Sequence, residues 1–185
     1  MNPIGNVPAA QHEILIVEDS LTQALKLQHA LEGRGYSVRT VARDGREALA
    51  ALAAHRPTLV ITDINMPGMD GYELCRRIKD DRAFTDLPVI LLTALSDPKD
   101  ILRGIECGAD NFIVKPYEDA FLLARIDSVL ANLALRREAG DGQAAEIYFA
   151  GQKYRLTSDR IHSIDLLLST YETAVQKNLE LSQAK

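Results

Sequence analysis

The sequence predicts an α/β fold: a doubly wound parallel sheet of five strands, helices on both faces, and a C-terminal hairpin-plus-helix extension. Two observations carry this. Five short apolar runs alternate with longer amphipathic stretches, and three of those runs are nearly continuous in Val, Ile and Leu. Strands buried on both faces have that composition, and parallel sheets covered by helices supply such strands. Strand–helix alternation repeated five times implies parallel neighbours, because each parallel pair needs a crossover.

The predicted strands are 14–17 (ILIV), 36–41 (YSVRTV), 58–62 (TLVIT), 88–93 (PVILLT) and 111–115 (NFIVK). The first helix follows Ser20 as N-cap, shows Leu21, Leu25, Gln28 and Leu31 at helical spacing, and stops at Gly33 and Gly35. Residues 44–55 form an alanine-rich second helix and 71–80 a third. A fourth, 98–107, opens at Pro98 and ends near Gly108. The fifth, 118–137, presents Phe121, Leu122, Ile126, Val129, Leu130 and Leu133 on one face.

The expected organisation is a flexible leader (1–12), a main domain (13–138), a linker (139–145) and a connector or dimerisation segment (146–185). The leader is rich in Pro, Gly, Asn and Ala, and the linker is polar and glycine-bearing. AEIYF and KYRLT flank AGQ as a hairpin would. Over 158–183, Ile161, Ile164, Leu168, Tyr171 and Val175 step by threes and fours. Such a stripe suits a paired helix, and so a homodimer through 158–183.

Composition disfavours several classes. A net charge of -5 gives no broad electrostatic attraction for nucleic acid or anionic membrane, so no nucleic acid is expected as a ligand, although a small basic patch can sit inside an acidic total. No apolar run approaches the ~20 residues that span a bilayer, and the start lacks the charged end and apolar centre of a signal peptide. No membrane association and a cytoplasmic location are the expectations. Cys75 and Cys107 stand far apart outside any CxxC or Cys/His pattern, so they read as small apolar helix residues.

In a parallel α/β sheet, ligands bind beyond the carboxyl ends of the strands. Glu18 and Asp19 follow the first strand, Asp63 ends the third, Thr93 the fourth, and Lys115-Pro116 the fifth. Three acids, a hydroxyl and a lysine thus converge on one sheet edge. Two like charges ~4 Å apart cost about 4 kcal/mol at an effective dielectric of about 20. A divalent cation offsets that cost, and hard oxygen ligands suit Mg2+. The alternative is a carboxyl pair with raised pKa values doing acid/base work; Lys115 in the cluster favours the charged, metal-bound state. With a metal, Asp63 can attack phosphorus in line while Lys115 pairs with one phosphoryl oxygen and the Thr93 hydroxyl donates to another.

VEDS (17–20), DINMPGMDG (63–71), TA (93–94) and GADNFIVKP (108–116) resemble the motifs of the response-regulator receiver domain, in order, spacing and placement. The resemblance covers about residues 12–135 and implies a flavodoxin-like (βα)5 fold. It implies Asp63 as phospho-acceptor, Glu18 and Asp19 as the acidic pair, and the main-chain carbonyl of Asn65 as a further metal ligand. It also implies Lys115 as the phosphate-binding lysine, a cis Lys115–Pro116 bond, and Thr93 with Phe112 as the switch pair. Phe112 lacks the phenolic hydroxyl that many members carry there. The implied donor is a histidine kinase or a histidine phosphotransfer protein.

The chain is thus expected to accept phosphate rather than to act as an enzyme. His12, His29, His55 and His162 lack the Glu and Pro context of a kinase acceptor helix. An alternative makes the chain the N-terminal part of a hybrid kinase or other multidomain signalling protein. A remote one is a small Mg2+-dependent phosphatase, which would need an acid where Asn65 stands.

Overall fold

The computed structural model describes residues 11–94, 100, 103, 104, 106–139, 144–149 and 152–157. The elements in chain order are β1 (Ile14–Val17), α1 (Leu21–Arg34), β2 (Val41–Ala42), α2 (Gly45–Ala54), β3 (Leu59–Asp63), α3 (Gly71–Asp80), β4 (Val89–Thr93), β5 (Asn111–Val114), α4 (Asp119–Ala139), β6 (Ala144–Phe149) and β7 (Gln152–Thr157). Of the helix predicted at 98–107, only Asp100, Arg103, Gly104, Glu106 and Cys107 fall among the described residues, and the first four are helical. The predicted helix at 158–183 lies outside them.

The first five strands form one parallel sheet in the order β2-β1-β3-β4-β5. The chain moves from β1 outward to β2 and then returns to the other side of β1. The order therefore reverses between β1 and β3, where this fold leaves a crevice at the carboxyl edge. The polypeptide needs no special device to make the crevice, because the topology alone places it beside Glu18 and Asp63.

Alternation along each strand divides the core in two. Leu15, Val17, Val60, Val89, Leu91 and Phe112 pack with α2 and α3. Ile14, Ile16, Leu59, Ile61, Ile90, Leu92 and Ile113 pack with α1 and α4. Both strand faces are therefore dry, which explains the unbroken apolar runs. On the second face Asp127 also ties α4 to α1, accepting from Arg34 at 2.8 Å and from the Tyr36 hydroxyl.

Helix boundaries follow local chemistry. Ser20, Asp44 and Asp70 cap α1, α2 and α3 by accepting from the amides of Gln23, Glu47 and Glu73. Gly35 ends α1 with φ of 100°, a left-handed conformation that favours glycine.

Two sequence expectations need correction. The buried stripe of α1 is Ala24, Leu27 and Leu31, whereas Leu21 and Leu25 are 67% and 56% exposed. Both stripes satisfy helical spacing, and only the packed sheet decides between them. The second strand is Val41–Ala42 rather than 36–41. Ser37 makes only an isolated parallel bridge to Glu13, and the chain between follows β1 through single hydrogen bonds such as Ile16 N to Thr40 O. β2 lies at the sheet edge and has β1 as its one partner in the sheet.

Beyond α4, β6 and β7 pair antiparallel from Ala144↔Thr157 to Phe149↔Gln152, giving the expected hairpin. Among the described residues, no helix is long and apolar enough to cross a membrane.

Candidate functional site

Parallel register sets the site. Ile16 pairs with Ile61 and Ile61 with Ile90, which brings the ends of β1, β3 and β4 level. Glu18 and Asp19 leave β1 there, and Asp63 is the last residue of β3. One carboxylate oxygen from each of Glu18, Asp19 and Asp63 lies within 4.8 Å of the others. Among the described residues this is the one such cluster of potential metal ligands. Glu18 is 2% exposed and Asp63 7%.

The fixed donors around these acids are few. Glu18 Oε1 accepts from the Ser20 amide at 3.1 Å, and Glu18 Oε2 accepts from Lys115 Nζ at 3.3 Å. Asp63 Oδ1 accepts from the Ile64 amide at 2.9 Å and pairs with Lys115 Nζ at 3.2 Å. No described residue donates to Asp63 Oδ2. Burial raises the Glu18 carboxyl above its ordinary pKa; the Ser20 amide and Lys115 oppose this, and the charge of Asp63 adds to it. Three carboxylates against one ammonium leave the cluster net negative, and every ligand atom is a hard oxygen. That donor set fits Mg2+.

Lys115 leaves the end of β5, and its amide donates to the Thr93 carbonyl at 2.7 Å. The Lys115–Pro116 peptide is cis, as the resemblance implied. Thr93 is buried at the end of β4. Leu91 pairs with Phe112 across β4 and β5, so by alternation Thr93 and Phe112 share one face of the sheet. A Cβ built on Gly104 would stand 2.0 Å from Phe112 Cε1, so the ring lies directly against that backbone.

Asn65 is exposed in the loop after β3, where Met66 N and Gly71 N both donate to the Ile64 carbonyl. Its own carbonyl accepts from no described residue. Gly71 lets α3 begin against this loop. A Cβ there would stand 2.4 Å from the Asp63 carbonyl and 2.8 Å from Ile64 Cα.

Several residues at or near the site escape sequence reasoning. Gln23 Oε1 accepts from Lys115 Nζ at 2.8 Å. Its only sequence signal is the S-x-x-Q pattern of a helix start. Burial and then Asp119, Glu18 and Asp63 raise the Tyr117 phenol to about 12. Arg103 lies 4.2 Å over the Tyr72 ring and pairs with Asp70 at 3.3 Å, tying one helical segment to the start of α3.

The profile of the response regulator receiver domain matches residues 14–127. The chain belongs to that family. A probable transcriptional regulator, ycf27, of Cyanophora paradoxa is 36% identical to this receiver over 172 residues, covering 85% of this chain and 70% of that protein. The transcriptional regulatory protein CseB of Streptomyces coelicolor is 40% identical over 138 residues, covering 75% of this chain and 56% of that protein. Among solved structures, the signal receiver domain of a signal transduction histidine kinase from Syntrophus aciditrophicus is 52% identical, with a TM-score of 0.62. That match covers 65% of this chain and 90% of the other. The chain thus spans only part of the regulators that it matches.

Proposed function

We propose that Asp63 accepts a phosphoryl group from a phosphohistidine of a kinase or phosphotransfer protein, and that this switches the surface the receiver offers to partners. One observation carries the reading: Asp63 Oδ1 accepts from the Ile64 amide and pairs with Lys115, while no described residue donates to Oδ2. In the transfer, Oδ2 attacks phosphorus, an O–P bond forms, and the P–N bond to the donor imidazole breaks. The imidazole leaves with the bonding pair and takes up a proton. Lys115 pairs with a phosphoryl oxygen, and Thr93, one residue past the partner of Asp63 on β4, donates to another. Glu18, Asp19, Asp63 and the Asn65 carbonyl would hold Mg2+, which when bound neutralises charge on the phosphoryl oxygens.

The chain would be a phospho-acceptor rather than an enzyme with turnover, acting in the cytoplasm. Asn65 cannot serve as a general acid, which disfavours the phosphatase alternative. As Thr93 turns toward the phosphate, Phe112, whose ring lies against the Gly104 backbone, repacks into the space vacated. That biases two arrangements of the face to which β5 and α4 contribute. For output, the 52% identity with a kinase receiver favours a signalling protein of several domains. The regulators among the relatives point instead to an output in transcription. The charge of -5 keeps direct nucleic-acid binding by this chain disfavoured.

Incubation with acetyl phosphate and Mg2+, followed by intact-mass measurement, tests the reading. The wild type gains one phosphoryl group and Asp63→Ala gains none. An equal gain in both refutes it.

A further inference from the structure

Lys115 Nζ has three protons and three acceptors around it: Glu18 Oε2 at 3.3 Å, Asp63 Oδ1 at 3.2 Å and Gln23 Oε1 at 2.8 Å. Two of these are carboxylates of the acidic cluster, for which a divalent cation competes. Gln23 is neutral, stands outside that cluster, and makes the shortest contact.

The start of α1 shows why Gln23 is available. Ser20-x-x-Gln23 matches a capping box, in which the serine side chain accepts from the glutamine amide and the glutamine side chain reaches back to the serine amide. Here only half of the box forms. Gln23 N donates to Ser20 Oγ at 3.5 Å, but Ser20 N donates to Glu18 Oε1 at 3.1 Å. With the serine amide taken by the acid, the Gln23 side chain is released from the helix end and turns to the lysine. A lysine side chain is long and flexible, and its charge does useful work only when held in one place.

We propose that Gln23 is a positioning residue of the phosphoryl-transfer site, its amide oxygen holding the Lys115 ammonium beside Asp63. The proposal rests on the acceptor reading of Asp63 and adds a residue from α1 to it. Gln23 touches no reacting atom; it acts through Lys115. When a cation draws on Glu18 and Asp63, the Gln23 contact keeps the lysine at the site.

Gln23→Met tests this, since methionine keeps the length and helix preference but accepts no comparable hydrogen bond. The Lys115 ammonium is followed by NMR of lysine side chains, loading by acetyl phosphate is followed by mass, and the Mg2+ dependence of loading and the thermal midpoint are measured alongside. Gln23→Met is expected to shift or broaden the Lys115 ammonium signal. It slows maximal loading about three- to tenfold, the worth of an ordinary hydrogen bond. The half-saturating Mg2+ concentration and thermal midpoint stay at wild-type values. Gln23→Glu, which keeps an acceptor at the same reach, restores a narrow Lys115 signal. An unchanged Lys115 signal or an unchanged loading rate in Gln23→Met overturns the proposal. A wild type that does not load overturns the acceptor reading instead, and the Lys115 signal still decides whether Gln23 holds the lysine.

Discussion

Glu18 illustrates how one residue sets stability against function. It is almost fully buried, with Asp63 beside it, and its carboxyl is held above the ordinary range chiefly by burial. A carboxyl whose folded pKa is raised binds its proton more tightly in the native state. Stability without a divalent cation therefore falls as pH rises from the ordinary glutamate range through that raised value. Glu18→Gln removes the buried charge and keeps one acceptor oxygen, which can serve either the Ser20 amide or Lys115. At pH 7 without divalent cation, Glu18→Gln is expected to melt higher than the wild type. The difference closes as pH falls through the raised carboxyl value, and the upward shift that Mg2+ gives the wild type is lost in the variant. Melting curves with and without Mg2+ across that pH range read both effects, and a variant less stable than the wild type at pH 7 contradicts the account.

At the scale of elements, the loop after α3 is fastened by a contact the sequence does not advertise. Lys79 Nζ donates to Asp110 Oδ2 at 2.7 Å and to the Leu87 carbonyl at 2.7 Å, and Asp110 Oδ2 also accepts from the Val89 amide. This links the end of α3 to the starts of β4 and β5, at the sheet edge opposite the site. Lys79→Met leaves Asp110 buried without its cation and is expected to cost about 3 kcal/mol or more. Urea unfolding checks it, and a loss well under 1 kcal/mol would mean that water replaces the lysine. Lys79 reads in sequence as an ordinary surface lysine near a helix end, because its partner lies 31 positions away. The same limit applies to α1. Leu21 and Leu25 satisfy helical spacing as well as Leu27 and Leu31 do, and only contact with β1 and α4 selects the buried stripe. By contrast β1, β3, β4 and β5 were legible because a two-sided burial requirement leaves a continuous apolar run. The cap at Ser20 was legible because it is local chemistry.

The strand order of the five-stranded sheet reverses beside β1, and this places residues from four distant segments at one edge. Asp63, Glu18, Thr93 and Lys115 could be read from sequence because each directly ends a strand. Gln23 could not, since its task follows from Glu18 taking the Ser20 amide, a three-dimensional event. On the proposed acceptor reading, a phosphoryl group at this edge would shift populations rather than build a new fold, so its readout would belong to the whole chain. The apolar stripe over 158–183 suits pairing of two copies. Light scattering on the full chain is expected to give a dimer whose fraction rises with beryllofluoride and Mg2+. A monomer in both conditions rules out pairing through that segment.

The most direct test of the account is chemical trapping of the acceptor. After loading with acetyl phosphate and Mg2+, borohydride reduction converts an aspartyl phosphate to homoserine, and peptide sequencing by mass spectrometry locates it. The account predicts homoserine at position 63 and at no other aspartate. Homoserine at Asp19 or elsewhere, or none in a protein that has gained phosphate, would contradict it.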